Sequence, residues 1–414
     1  MVALNYFPEQ TGNAAYTTSL AEGLADAGVS ISAVVAAPYY PRWKTFPSSE
    51  WRSHEAVNGV DITRVRSYVP RRPSWVRRAL FETFYGARLG LRVSEKSEVV
   101  ILVSPGLFTS AVVELMMRLR GIEASRILWI QDRYLRGIAE VAGARATVVE
   151  RFIHSMASRL GKQCDAVVVI HERWEREVAG QFPALADRLH TIRNWTHVSA
   201  PESIDVDGMR SELGWGSVGN EIVVLHAGNM GVKQDLENVV GAARLADQRG
   251  LPLRFVLMGD GSQRERLEEL GLGIERLQLL PPQDNDRYMQ VLGSADVLLV
   301  NEKPGMLSAA VPSKMTSYFA TGRPVLAATD TASVTADEIR GSEAGVVCRP
   351  GDPAELLASV TQVCDLVSAG SLSGGPDFVE SRLSKEAAVE GFLKLINGCN
   401  GIEDVDKKKV GAQK

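Results

Sequence analysis

Apolar residues along the chain alternate between two rhythms: short unbroken runs, which read as buried strands, and runs with apolar positions every third or fourth residue, which read as helices. Residues 2–4 form a short apolar run. Residues 14–27 carry Leu20, Leu24 and Ala27 on one helical stripe that Gly28 stops, and 31–37 is the next strand. Strands are then expected at 98–103, 126–130, 165–170 and 189–192, with a helix at 107–120. Residues 198–220 are polar, contain Pro, Gly and Ser, and lack periodicity, so a linker is expected there. A second series follows, with strands at 221–226, 253–258, 277–280, 295–300, 324–328 and 344–348, and helices at 236–249, 315–320 and 384–396. The repeated order of strand, glycine loop, helix and strand predicts an α/β chain of two Rossmann-like, doubly wound parallel-sheet domains, at 1–197 and 221–380. A helical segment at 381–399 and a frayed tail at 400–414 close the chain.

Composition leaves this picture intact. At 414 residues, 45% hydrophobic and 23% charged, the chain has ample material for two cores. No apolar run approaches the roughly 18 to 20 residues of a membrane span, and no signal peptide opens the chain, so a cytoplasmic location is expected. Cys164, Cys348, Cys364 and Cys399 show no C-x-x-C spacing and are expected to be free thiols in a reducing compartment. The six histidines form no ligand pair with a carboxylate, so no metal is expected.

Charge does change the picture. Residues 1–200 carry 25 Lys and Arg against 19 Asp and Glu, and the remainder 21 against 31, so the front half is basic and the rear half acidic. Between 66 and 92 stand seven arginines, among them Arg71, Arg72, Arg77 and Arg78, against the single acid Glu82, with Trp75 and other aromatics interleaved. If 74–92 is helical, Leu80, Phe84, Ala87 and Leu91 share a stripe flanked by arginines. Such a segment fits either a helix lying on an anionic membrane surface or a core-packing helix with a solvated basic face. No nucleic-acid module accompanies the charge, so no nucleic-acid partner is expected.

Two places carry candidate chemistry. Asp132 stands just beyond the end of the 126–130 strand, where parallel sheets place ligand contacts; it reads equally as the cap of the next turn. The stretch 302–330 leads from a buried strand through Pro312-Ser313-Lys314 into a helix. Open amides at the helix start and the Lys314 charge make a candidate anion site, and an ordinary capped helix is the competing reading.

The segment VPSKMTSYFATGRPVLA resembles the donor-side segment of the GT-B glycosyltransferases of family 4, closest to the branch that builds bacterial exopolysaccharide and O-antigen sugars, including colanic-acid-type and N-acetylfucosamine transferases. Asn5-Tyr6-Phe7-Pro8-Glu9-Gln10-Thr11-Gly12-Asn13 resembles the family's NYxPxxTG loop, and 37–43 its PPYYPxW signature. Gln131-Asp132, His171-Glu172 and Asn194-Trp195 resemble further family motifs. The family usually carries several more apolar residues before the first strand, so either a start inside that strand or a stub strand is expected.

The resemblance implies a GT-B fold, with two domains facing an interdomain cleft and the last helix packed back on the front, acceptor-side domain. It implies that Gly12 and Asn13 approach the donor and that Gly228, Asn229 and Lys233 face its diphosphate. Pro312, Ser313 and Lys314 would hold the same diphosphate, and the base would lie near Leu280 and Pro281; Gly259 and Gly261 would line the substrate site, or form a plain turn from strand to helix. Asp132 would contact the acceptor or accept its proton. The implied reaction is retaining transfer of a hexose-type sugar from a nucleotide-diphosphate sugar to a lipid-linked or glycan acceptor, without metal or cofactor, possible at the inner membrane face. Two departures stand out: Asn229 replaces a common arginine, and Ala309 and Ser317 occupy the positions of a donor-binding glutamate pair, with Glu302 the nearest acid. A sugar-nucleotide-binding scaffold subunit and a sugar-nucleotide epimerase are the alternatives.

Overall fold

The structure, a computed structural model, describes residues 1–9, 13–40, 43–45, 52–70, 74–104, 106–131, 146–196, 203–217, 219–306, 314–372 and 374–399. Two compact units emerge, one of Met1–His197 with Lys385–Lys414 and one of Val198–Ser384.

The first unit is built on eight strands: β1 (Val2–Ala3), β2 (Ile31–Ala36), β3 (Arg52–Val57), β4 (Val60–Val65), β5 (Val99–Val103), β6 (Ser125–Ile130), β7 (Ala166–Val169) and β8 (Leu189–Thr191). Their order is β3-β4-β2-β1-β5-β6-β7-β8, parallel except for the antiparallel β3–β4 hairpin. The short β1 is central: Val2 pairs with both Val34 and Leu102. The hairpin escapes a periodicity reading because β3 is largely exposed and shows no alternation. Its signal is Asn58-Gly59, both at positive φ, the dipeptide that a two-residue hairpin turn favours.

Helix α1 (Asn13–Asp26) packs against the Lys385–Cys399 helix, and Gly23 permits the approach: a Cβ there would lie 2.5 Å from Val389 Cγ2. Aromatic rings join the returning helix to the sheet. Trp129 stacks on Trp195 at 6.1 Å and meets Phe392 edge-on at 5.1 Å. Trp195 is fixed by its indole N–H, which donates to Ser19 Oγ at 3.0 Å.

Helix α2 (Trp75–Gly90) turns inward a face other than the stripe of Leu80, Phe84, Ala87 and Leu91, so of the two readings the stripe itself is not the core-packing face. Phe81, Tyr85 and Leu89 are buried, while Val76, Leu80, Phe84 and Leu91 point outward, Phe84 at 53% exposure. Gly86 and Gly90 bring α2 close to α3 (Leu107–Leu119). Glu82 is buried between them and accepts from Arg78 Nε at 3.1 Å and from the Phe108 amide at 3.1 Å. The one acid of the arginine-rich stretch therefore caps a neighbouring helix.

The second unit holds β9 (Ile222–Ala227), β10 (Leu253–Met258), β11 (Leu277–Leu280), β12 (Val297–Asn301), β13 (Val325–Ala328) and β14 (Gly345–Cys348), in the all-parallel order β11-β10-β9-β12-β13-β14. Apolar cores lie on both faces, as a sheet covered by helices on each side requires. Within 198–220, where the sequence shows little periodicity, Val206–Glu212 forms a helix. Its Arg210 is buried, donating to the Glu221 and Ser294 carbonyls and to Asp296. Four cysteines are free thiols, with Cys164 and Cys348 buried. Among the described residues no helix is long and apolar enough to cross a membrane, and no cluster of metal-ligating side chains occurs.

Candidate functional site

Strand order locates the crevices. In an open parallel sheet, ligands bind beyond the carboxyl ends of two neighbouring strands whose connections run in opposite directions. In the first unit these strands are β1 and β5; in the second they are β9 and β12.

In the first unit, β1 leads into the loop that ends at Asn13, the first residue of α1. Asn13 Nδ2 reaches the Ser104 carbonyl after β5 at 3.4 Å, so the amide spans the switch point. Glu9 is 5% exposed and serves the scaffold: one carboxylate oxygen accepts from the Tyr39 and Tyr40 amides, both at 2.7 Å, and the other from Asn5 Nδ2 at 2.8 Å. It thereby ties together the loops after β1 and β2. Replacing Glu9 by alanine is expected to cost about 2 kcal/mol in urea unfolding, because the buried Tyr39 amide and the part-buried Tyr40 amide lose their acceptor. At the end of β6 stands Gln131, 3% exposed, with both amide atoms lacking a hydrogen-bond partner among the described residues. A buried amide left open is unusual and suits a polar ligand. Gly12 and Asp132 lie outside the described residues.

The second unit presents a cation. Lys314 opens the Lys314–Ala320 helix, and its Nζ lies 3.1 Å from His226 Nε2. Part of its side chain reaches solvent, but the amine is enclosed deeply enough that burial pulls its pKa to about 7, against the opposing pull of Glu302. Gly228, at the end of β9, faces this amine: a Cβ built on it would stand 3.4 Å from Lys314 Nζ. The next loop packs behind. Gly259, after β10, has φ +144, and a Cβ there would fall 1.9 Å from the Gly228 carbonyl oxygen, so only glycine fits. Gly261 packs in the same way on the Met230 carbonyl and the Asn229 side chain.

Lys233 lies in the 3-10 turn Val232–Gln234 and is exposed; its carbonyl accepts from the Lys303 amide at 2.9 Å, which stitches the β9 loop to the β12 loop. Asn301 pins that turn by donating to the Gln234 and Asp235 carbonyls at 2.8 and 3.0 Å, and it accepts from Asn238.

Glu302 is committed inside the protein: its carboxylate accepts from Thr329 and Thr335, and burial raises its pKa. Ser317, at one of the glutamate positions, is buried and hydrogen-bonded to Tyr288, so this place is filled by protein. The Leu280 carbonyl accepts from the Gly259 amide and from Arg264, and the Pro281 carbonyl from Gln283 Nε2 at 2.9 Å. With Pro281 and Pro282 lacking N–H groups, this edge presents apolar surface more than backbone donors. Pro312 and Ser313 lie outside the described residues. The Lys314–Ala320 helix has only two turns, so the charge at the site comes from lysine more than from a helix dipole.

His226 and the Asn238–Asn301 pair escape a motif reading, and Gln131 reads in the sequence only as the neighbour of Asp132. His226 is the one of these with a plain signal, a polar side chain closing an otherwise apolar strand.

Comparison with known proteins agrees with this architecture. The family model described as "Glycosyl transferase 4-like domain" matches residues 11–195, and that described as "Glycosyl transferases group 1" matches residues 221–365. The colanic acid biosynthesis glycosyl transferase WcaI of Escherichia coli is 29% identical over 426 residues, covering 95% of this chain and 98% of that protein. Among solved structures, sucrose-phosphate synthase from Thermosynechococcus elongatus superposes with a TM-score of 0.69 at 16% identity, covering 97% of this chain and 99% of that one. HepE of Anabaena, solved in complex with UDP, superposes with a TM-score of 0.67 at 13% identity, covering 96% and 99%. With one model on each unit and parallel sheets ordered about two switch points, the chain belongs to the GT-B glycosyltransferases, with a 4-like domain in front and a group 1 domain behind.

Proposed function

We propose that this glycosyltransferase moves a hexose-type sugar, with retention of anomeric configuration, from a nucleotide-diphosphate sugar to a lipid-linked or glycan acceptor in bacterial surface polysaccharide synthesis. The observation that carries the donor reading is the enclosed Lys314 amine over Gly228, where a bare backbone lets an anion come close. The similarity to WcaI supports the polysaccharide context, and the UDP and UDP-glucose complexes of HepE support a nucleotide-sugar donor.

Chemically, the glycosidic bond to the diphosphate breaks as the bond to the acceptor oxygen forms. The departing diphosphate gains negative charge, and Lys314 and Lys233 stabilise it. A diphosphate oxygen takes the acceptor hydroxyl's proton, so no protein nucleophile is needed. On this reading the first unit handles the acceptor, with Asp132 and the Gln131 amide, open among the described residues, as its polar contacts. The test is incubation with UDP-, GDP- and dTDP-sugars and polyprenyl diphosphate-sugar acceptors, with the product anomer read by NMR. Nucleotide release only with acceptor and a retained anomer support the proposal; binding without turnover favours the scaffold reading that the absent glutamate pair raises, and sugar isomerisation favours an epimerase.

The outward face of α2 supports an anionic membrane surface as a further partner: Val76, Leu80, Phe84 and Leu91 are exposed beside Arg77 and Arg78. Arg78 already shares the Glu82 carboxylate, which reduces its contribution; Arg71, Arg72 and the Trp75 side chain lie outside what is described. Changing Leu80 and Phe84 together to glutamate is expected to lower sedimentation with phosphatidylglycerol vesicles at least tenfold without loss of folded protein. Unchanged sedimentation contradicts the membrane reading.

A further inference from the structure

We propose that His226 is a positioning residue for the donor: its neutral imidazole holds the Lys314 amine against the Gly228 backbone, so the diphosphate meets a fixed cation. This rests on the diphosphate reading above and adds to it the residue that aims the charge.

The geometry decides the imidazole's role. His226 is fully buried on β9, and its Nδ1 lies 3.2 Å from the Leu299 carbonyl on β12. A carbonyl only accepts, so Nδ1 carries the proton and Nε2 presents a lone pair. That lone pair faces Lys314 Nζ at 3.1 Å and accepts from it. Burial, then the nearby lysine, depresses the imidazole pKa well below its ordinary value, against the Leu299 and Asn229 backbone, and this favours a neutral ring beside the lysine. One ring thus joins β9, β12 and the Lys314–Ala320 helix across the switch point.

Among the described residues the remaining charged and titratable groups around the amine are few. Glu302, after β12, attracts the ammonium but is tied to Thr329 and Thr335; Asp330, after β13, acts on Glu302. Tyr318, one turn along the same helix, is spent on the Ala227 backbone. With the free amine near pKa 7, about nine-tenths is unprotonated at pH 8. A diphosphate raises that pKa, so binding at pH 8 takes up close to one proton and at pH 6 almost none. A diphosphate diester does not itself titrate in this range.

The experiment is titration calorimetry of the full chain with UDP-, GDP- and dTDP-glucose at pH 6 and pH 8, in buffers of different ionisation enthalpy. The variants are His226→Phe, His226→Gln, Lys314→Met and the His226→Phe/Lys314→Met double. Phenylalanine fills the space without an acceptor; glutamine places an acceptor near the Nε2 position. The inference predicts about tenfold weaker binding and altered proton uptake for His226→Phe, recovery towards wild type for His226→Gln, and no further loss when His226→Phe is added to Lys314→Met. Equal affinity and proton uptake in wild type and His226→Phe overturn it, as does an equal loss for phenylalanine and glutamine in proteins that remain folded. Should His226→Phe not fold, His226→Gln and Lys314→Met still decide: binding in His226→Gln as weak as in Lys314→Met overturns the inference. If the wild type binds none of the three donors, the diphosphate reading itself falls, a separate result.

Discussion

Lys314→Ala is expected to lower kcat/KM for sugar transfer by two to three orders of magnitude while leaving the chain folded. Lys314 is enclosed at the β9–β12 switch point, and its amine lies over Gly228, a backbone position without a Cβ. Removing a preorganised group that meets charge developing in the transition state costs about 3–4 kcal/mol of barrier, which sets this magnitude. The loss should appear more in kcat than in donor affinity, since the leaving group carries more charge at the transition state than in the bound donor. Stability should move the other way. The folded-state pKa of Lys314 is depressed, so the unfolded chain binds more protons between pH 7 and the ordinary lysine value, and the buried amine opposes folding most at low pH. Thermal melts at pH 6.5 should show Lys314→Met melting no lower than the wild type. Lys233, exposed on its turn, should matter less: Lys233→Ala is expected to cost about tenfold.

Gly259→Ala is expected to be the most damaging single methyl in the second unit. The added carbon would stand 1.9 Å from the Gly228 carbonyl oxygen, at a φ that side chains rarely adopt. Neither neighbour is a flexible side-chain end, so the two loops must separate. A cost of about 3 kcal/mol or more in denaturant unfolding is expected, since backbone strain and steric overlap act together. Donor binding should fall with it, because the Gly228 loop is the part displaced. Gly250, also at positive φ but with open space around it, is the control: Gly250→Ala should cost about 1 kcal/mol and leave donor binding unchanged.

The parallel sheets were legible because their strands are unbroken apolar runs between glycine loops, and a fully buried strand leaves that trace. The hairpin Arg52–Val65 was not, since β3 buries too little to show a pattern. For α2 the helix could be read but not its orientation. Its sequence has two apolar faces, and close packing on α3 through Gly86 and Gly90 selects Phe81, Tyr85 and Leu89. At the site, glycine loops and Lys314 carry local signals. Their convergence does not, because Gly228, Gly259 and Lys314 are far apart in sequence and meet only through strand order. Likewise Glu302 reads as a candidate ligand until its threonine partners, 27 and 33 positions away, are seen to claim it.

The most direct test is a crystal structure of the chain soaked with the sugar nucleotide that it turns over. Diphosphate oxygens are expected within about 3 Å of both Lys314 Nζ and the Gly228 backbone, with the amine still held by His226. A diphosphate bound away from both Gly228 and Lys314 contradicts this expectation.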